Sequence, residues 1–227
     1  MQKNYPFAAI FDWDGVIIDS SAQHKKSFEL LAQEAGYTLR PGDFERSFGI
    51  KNNYTIPKIF KWTQDLEEIE RLGHRKEELY REILAVDGIE VLPGVRELLE
   101  DLKAHGVPCA IGSSSPLQNL ELTIDRLNLH GYFCEIACAE DVIHSKPAPD
   151  VFLAAARKLG VEPARSIVFE DAHAGIEAGL AAGMRVVGVA TTHEPHTLEG
   201  AHRVVHRLTE LNFAELDRWM RAAPVLA

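Results

Sequence analysis

Short apolar runs rich in β-branched residues alternate with helical patterns along most of this chain. That alternation limits the fold to a parallel sheet covered by helices on both faces. The expected strands are 7–11, 107–112, 135–139, 166–170 and 185–189, with a weaker one at 202–205. The helices between them are well punctuated. "GVRELLEDLKAHG" puts Val95, Leu98, Leu99 and Leu102 on one face and stops at Gly106. "PDVFLAAARKLG" opens on Pro149 and Asp150 and stops at Gly160, and "AGIEAGLAAGM" is a small-residue helix suited to close packing on a sheet. The tail, 213–227, reads as one short helix and a fraying end.

One region breaks the rhythm. From about Ser20 to Glu90 the sequence offers helical patterns and no strand, a stretch too long for a crossover within a compact sheet. The expectation is an α/β fold, a Rossmann-like doubly wound parallel sheet formed by 1–18 and 90–227, with an α-helical module inserted at 19–89. Hinges are expected near Val16–Asp19 and Gly88–Gly94, where the chain crosses between the two.

In an open parallel sheet, ligands bind beyond the carboxyl ends of the strands, so the residues that follow each strand carry the chemistry. After the first come Asp12 and Asp14, two residues apart, with Gly15 allowing a sharp turn. After the second comes "GSSSP". There Ser115 reads as a helix N-cap and Pro116 as the first helical residue, and the hydroxyls and free amides of Ser113, Ser114 and Ser115 suit a phosphate. "SKPAPD" presents Lys146, and "FEDAHAG", after the fourth strand, presents Glu170 and Asp171. Clustered carboxylates repel one another unless a cation intervenes. Carboxylates together with a substrate phosphate are what Mg²⁺ prefers. The expected metal ligands are Asp12, Asp14, Glu170 and Asp171. The expected chemistry is attack of Asp12 on phosphorus, proton transfer by Asp14, and charge neutralisation by Lys146 and Mg²⁺. Asp19 reads as a structural hydrogen-bonding residue at the module junction.

These four motifs, in this order, resemble the haloacid dehalogenase superfamily in its phosphotransferase majority. The resemblance implies that "FDWDGVIIDS" supplies the nucleophile and the acid/base aspartate, Ser113 the phosphate-binding hydroxyl, Lys146 the third motif, and Glu170 with Asp171 the metal-holding fourth. It also implies a helical cap where the strandless segment lies. The nearest branch resembles the β-phosphoglucomutases and sugar phosphatases. In the mutases a cap histidine at the spacing of His24 helps handle the sugar proton. This chain departs from the mutase pattern in two places. After Gly49 it reads "IKNN", with Lys51, Asn52 and Asn53 where the mutases carry an arginine, and Pro116 stands where they carry a lysine. A lysine keeps the charge but not the bidentate fork.

The expected activity is therefore a Mg²⁺-dependent phosphatase of a small phosphorylated metabolite, a sugar phosphate by resemblance. β-Phosphoglucomutase is the alternative, and a non-catalytic binding relative ranks below both. His24, Lys51 and Asn52, with Arg75 or Lys76, are expected to face the substrate from the cap. The formal net charge of −10 argues against nucleic acid or an anionic membrane as partner. No apolar stretch approaches the length of a membrane span. Three cysteines without metal-site spacing, and no signal-like N-terminus, lead to the expectation of a monomer in the cytoplasm.

Overall fold

The computed structural model describes residues 5–198 and 200–222. In chain order it runs β1 (Ala8–Phe11), α1 (Ser21–Ala35), α2 (Asp43–Ser47), α3 (Asn52–Tyr54), a π-helical turn (Thr55–Phe60), α4 (Leu66–Asp87), α5 (Val95–Ala104), β2 (Cys109–Gly112), α6 (Leu117–Leu127), β3 (Phe133–Ala137), α7 (Asp150–Leu159), β4 (Ser166–Glu170), α8 (His173–Ala181), β5 (Arg185–Val189), β6 (Arg203–Val205) and α9 (Phe213–Ala222). The six strands pair in parallel in the order β3-β2-β1-β4-β5-β6. This is the doubly wound order, with its reversal beside β1, where a crevice opens at the strand ends.

β1 is central and fully buried, so both of its faces must be apolar. Ala9 and Phe11 point into one core with Ile111, Ile167, Phe169 and Val187, covered by α5, α6 and α9. Ile10 points to the other, with Ala110, Val168 and Val186 under α7 and α8. The rings of Phe11 and Phe169 stack at 4.4 Å across neighbouring strands. Four expected strands shift at their ends. β1 starts one residue late, at Ala8. β2 starts at Cys109 because Pro108 has no N–H to give the ladder, although its carbonyl accepts from the Ala9 amide (3.0 Å). β3 ends at Ala137, since Ala139–Asp141 turn into a 3₁₀ helix. β6 begins at Arg203. Of the tail, Phe213–Ala222 is helical, and 223–227 lie outside the described residues.

Between β1 and α5 the regular elements are helical, apart from isolated bridges at the junctions. These helices carry their own core, with Phe28, Leu31, Phe44, Ile56, Phe60, Leu72 and Leu79, separate from the two sheet-face cores. The two connecting segments run side by side: Ile18 bridges Val91, and the Leu92 amide donates to the Ile17 carbonyl (2.9 Å). Asp19 takes part only through its backbone, donating to the Glu90 carbonyl (3.4 Å); its side chain is exposed. The helical module sits down over the strand ends through specific bonds to the core. Asn119 of α6 donates to Glu77 (2.6 Å) and accepts from Arg81 (2.9 Å), and Arg126 donates to the Leu84 carbonyl (2.5 Å). No described helix is long and apolar enough to cross a membrane.

Candidate active site

Two neighbouring strand ends and one loop converge on one buried point. Asp12 follows β1 directly, and its amide is tied to the Phe169 carbonyl (2.9 Å), which fixes it beside β4. Glu170 ends β4 and Asp171 follows. Oxygens of Asp12, Glu170 and Asp171 lie within 4.8 Å of one another, and all three residues are buried. Lys146 reaches into this cluster from the loop before α7. Its ammonium donates to Asp12 (2.7 Å) and Glu170 (2.6 Å) and sits 4.7 Å from the Phe152 ring centre.

The crowding is possible because two side chains are missing. A Cβ on Gly15, whose φ is +86°, would stand 2.1 Å from Asp171 Oδ2. One on Gly175, in the first turn of α8, would stand 1.7 Å from Glu170 Oε1. The same turn helps hold Glu170, which accepts the Ala172 amide (2.9 Å).

Three buried carboxylates share one ammonium. Burial, and then the charges of Glu170 and Asp14, push Asp12 up to about 7 against the pull of Lys146. Burial, Glu170 and Asp12 hold Asp171 well above the carboxylate range. Burial opposes the charge on Lys146, but Asp12 and Glu170 outweigh it and hold the ammonium firmly protonated. Excess negative charge in an all-oxygen site is what a hard divalent cation satisfies, so these residues fit Mg²⁺. The sign of the pH effect follows. The folded, metal-free protein keeps a proton on Asp12 that the unfolded chain releases near its ordinary value of 3.8, so folding stability falls as pH rises from about 4 through about 7. We expect the melting temperature without metal to be lower at about pH 8 than at about pH 5, with millimolar Mg²⁺ restoring it at the higher pH. An unchanged melting temperature on adding Mg²⁺ at the higher pH would contradict the assignment.

Asp14 departs from expectation. Its carboxylate is turned away from the other three, toward the helical module, and accepts from Ser20 Oγ (2.5 Å), His24 Nε2 (3.2 Å) and Ser115 Oγ (2.6 Å). It therefore offers no side-chain ligand to the acidic cluster. Burial alone would raise Asp14, but His24 and the hydrogen bonds from His24, Ser115 and Ser20 outweigh it and hold Asp14 well below the usual range. The tautomer of His24 follows from its other side. Lys76 Nζ, which can only donate, lies 2.7 Å from Nδ1, so Nε2 carries the proton toward Asp14. Tyr80 stacks on the imidazole at 4.0 Å.

Ser115 does not cap α6. Pro116 takes the N-cap position in extended conformation, and the Leu117 amide is met by the Glu140 carboxylate (3.1 Å), which frees the Ser115 hydroxyl for Asp14. Ser113 is anchored through its amide to the Ala137 carbonyl (3.0 Å), and its hydroxyl accepts the Ser115 amide (3.0 Å). Ser113, Ser114 and Ser115 line a cavity of about 690 Å³ together with Asp12, Asp14 and His24. Lys51 and Asn52 reach its wall with their polar ends engaged. Lys51 donates to the carbonyls of Ala139 and Val142 (2.9 Å to the latter), and Asn52 donates to Glu77 (2.7 Å). Arg75 is absent from the wall, because Glu34, Glu78 and Glu82 hold it on the outer face, whereas Lys76 lines the cavity.

Residue reading missed Glu77 and Thr192. Glu77 joins Lys76 (3.0 Å), Asn52 and Asn119 in one buried network, and nothing in its local pattern marks it. The Thr192 hydroxyl donates to the Asp171 carboxylate, and that of Thr191 to the Gly15 carbonyl. Both threonines follow β5, so the strand-end rule applied once more would have found them.

Residues 9–189 match the family model described as haloacid dehalogenase-like hydrolase. The chain is 35% identical to fructose-1-phosphate phosphatase YqaB of Escherichia coli over 80% or so of its length: 79% of this chain and 94% of that protein are covered. It is 33% identical to the chloroplastic 5-amino-6-(5-phospho-D-ribitylamino)uracil phosphatase of Arabidopsis thaliana, covering 92% of this chain but only 57% of that longer protein. Among solved structures, β-phosphoglucomutase from Clostridium difficile superposes with a TM-score of 0.84 at 30% identity, covering 94% of this chain and 96% of that one.

Proposed function

Because the chain belongs to the haloacid dehalogenase-like hydrolases, we propose that it is a Mg²⁺-dependent phosphatase of a small phosphorylated metabolite, working through a phosphoryl-Asp12 intermediate. The observation that carries this reading is the ammonium of Lys146 held between Asp12 and Glu170 at the floor of a cavity that Asp14 and the three serines also line.

The residues divide the work as follows. The Ser113 hydroxyl and the amide and hydroxyl of Ser114 receive the phosphoryl oxygens, while Ser115 holds Asp14. Asp12, held in line by its backbone bond to β4, attacks phosphorus, and the ester oxygen leaves with a proton from Asp14. His24 can pass its Nε2 proton to Asp14 as Nδ1 takes one from the Lys76 ammonium beside it, so Lys76 and His24 together are the groups positioned to supply it. In the second half, Asp14 accepts the proton of the water that cleaves the acyl phosphate, which regenerates Asp12 and releases inorganic phosphate. Lys146 offsets the charge that gathers as two anionic groups meet. Mg²⁺, held by Asp12, Glu170 and Asp171, supplies the remaining positive charge when bound.

A mutase must grip a second phosphate. Among the described residues no arginine lines the cavity; Lys51 is committed to two backbone carbonyls, Lys76 to His24 and Glu77, and Lys58 lines it from an exposed position, which favours hydrolysis over isomerisation. The deciding assay incubates the protein and Mg²⁺ with β-glucose 1-phosphate primed by the 1,6-bisphosphate, alongside a panel of phosphorylated metabolites. The expected result is inorganic phosphate from a subset of the panel and no glucose 6-phosphate. Isomer formed faster than phosphate would make the protein a mutase.

A further inference from the structure

The cavity is larger, and differently lined, than a compact sugar phosphate requires. Pockets of roughly 300–1,000 Å³ accommodate ligands of drug size, and this one has about 690 Å³. Its shape follows α4. Leu66, Ile69, Glu70, Gly73, His74 and Glu77 all line it, the spacing of a single helix face. From Leu66 to Glu77 that stripe extends about 16 Å at the rise of an α-helix. One end is the catalytic floor, with Glu77 and Lys76 beside His24. The other end opens to solvent.

The walls change character along this length. Above the floor they are Phe28, Phe44, Phe48, Pro57 and Ile69. Two polar groups among them are already spent: Ser47 Oγ donates to the Phe44 carbonyl (2.8 Å), and Gln64 Nε2 to the Pro57 carbonyl (2.9 Å); the other polar lining residues, Asn53, Lys58, Glu70 and His74, are exposed. Sugar hydroxyls pressed against this stretch would lose water without gaining partners, which is costly. An aromatic or alkyl group would lose nothing and would bury area on both sides. At the mouth, Leu66 is 80% exposed, a large apolar side chain turned to solvent on the rim of an apolar channel.

From these features we infer that the substrate is a phosphate monoester whose alcohol carries an aromatic or other apolar group, long enough to run from Asp12 along α4 to Leu66. The inference rests on the phosphatase reading and narrows it. The phosphate and the first hydroxylated carbons occupy the polar floor. The apolar portion lies between the three phenylalanines and Ile69, and its far end covers Leu66.

The test compares kcat/KM, with Mg²⁺ present, on compact esters (ribose 5-phosphate, glucose 6-phosphate) and extended ones (flavin mononucleotide, phenylhexyl phosphate). Acetyl phosphate, which leaves the channel empty, reads the chemistry at Asp12 by itself. At least one extended ester is expected to exceed both compact ones by about tenfold or more, the gain from burying one additional ring or short chain. Leu66→Asp, a change at an exposed position, is expected to remove most of that advantage through KM. Compact esters that are turned over as well as both extended ones, or an advantage that survives Leu66→Asp, would overturn the inference while acetyl phosphate cleavage keeps the phosphatase reading. Loss of acetyl phosphate cleavage as well would defeat both.

Discussion

Asp12→Asn is expected to lower Mg²⁺-dependent hydrolysis of p-nitrophenyl phosphate by at least about 10⁴-fold, the scale seen when a covalent nucleophile is removed. The amide nearly matches the carboxylate in shape and can keep the backbone tie to Phe169, but it has no oxygen able to form an acyl phosphate. A collapse of the fold would imitate this loss, and stability separates the two. Asp12 is raised to about 7 because burial and its neighbours disfavour its charge, so removing that charge relieves repulsion with Glu170 and Asp14. The metal-free Asn variant is therefore expected to melt no lower than wild type at about pH 8. Residual activity near the wild-type level in a stably folded variant would remove Asp12 from the role of nucleophile.

Lys146→Met is expected to abolish activity and also to destabilise the protein by about 3–5 kcal/mol, the usual consequence of taking one partner from a buried ion pair. Lys146 is 4% exposed, and its ammonium is the described cation bonded to both Asp12 and Glu170. Methionine can fill the slot against Phe152 but leaves the carboxylates facing one another. Adding Glu170→Gln to this variant is expected to recover part of the stability and none of the activity, because the repulsion falls while the catalytic charge remains absent. Chemical denaturation of the single and double variants reads this coupling. Stability in Lys146→Met equal to wild type would mean that the ammonium contributes little to holding the site.

The sheet and the meeting of Asp12, Lys146, Glu170 and Asp171 were legible for a topological reason. Asp12, Glu170 and Asp171 stand at or just past strand ends and Lys146 stands shortly before a helix start, and a doubly wound sheet brings these ends together whatever the loops contain. The ends of β4 and β5 could be read to the residue because their runs are apolar on both faces. Side-chain direction was not legible. Asp14 comes two residues after Asp12, yet it turns toward Ser20, His24 and Ser115, a choice made by the helical module above it together with the loop after β2. Ser115 looked like a cap because its local sequence favours one. A carboxylate distant in sequence, Glu140, took over the helix amide and released it. Glu77 and Asn119 left no trace, since each is an ordinary residue on its own helix and acquires meaning only where α4 meets α6.

The sheet order also shapes how the chain reaches its native state. β1 finds its partners late: Ala9 pairs with Cys109, and Ala8 with Ser166. Until β2 has emerged the central strand has two open edges, and until β4 has emerged it keeps one and Asp12 lacks Glu170. The helices between Ser21 and Asp87, by contrast, close on one another through nearby contacts and a core of their own. Loop-closure entropy makes local structure fast and long-range parallel pairing slow. Folding should then proceed from a helical module that forms early to a sheet, and an active site, that assemble only when most of the chain has been synthesised. During that interval β1, the strand that leads to Asp12, is the segment most exposed to aggregation.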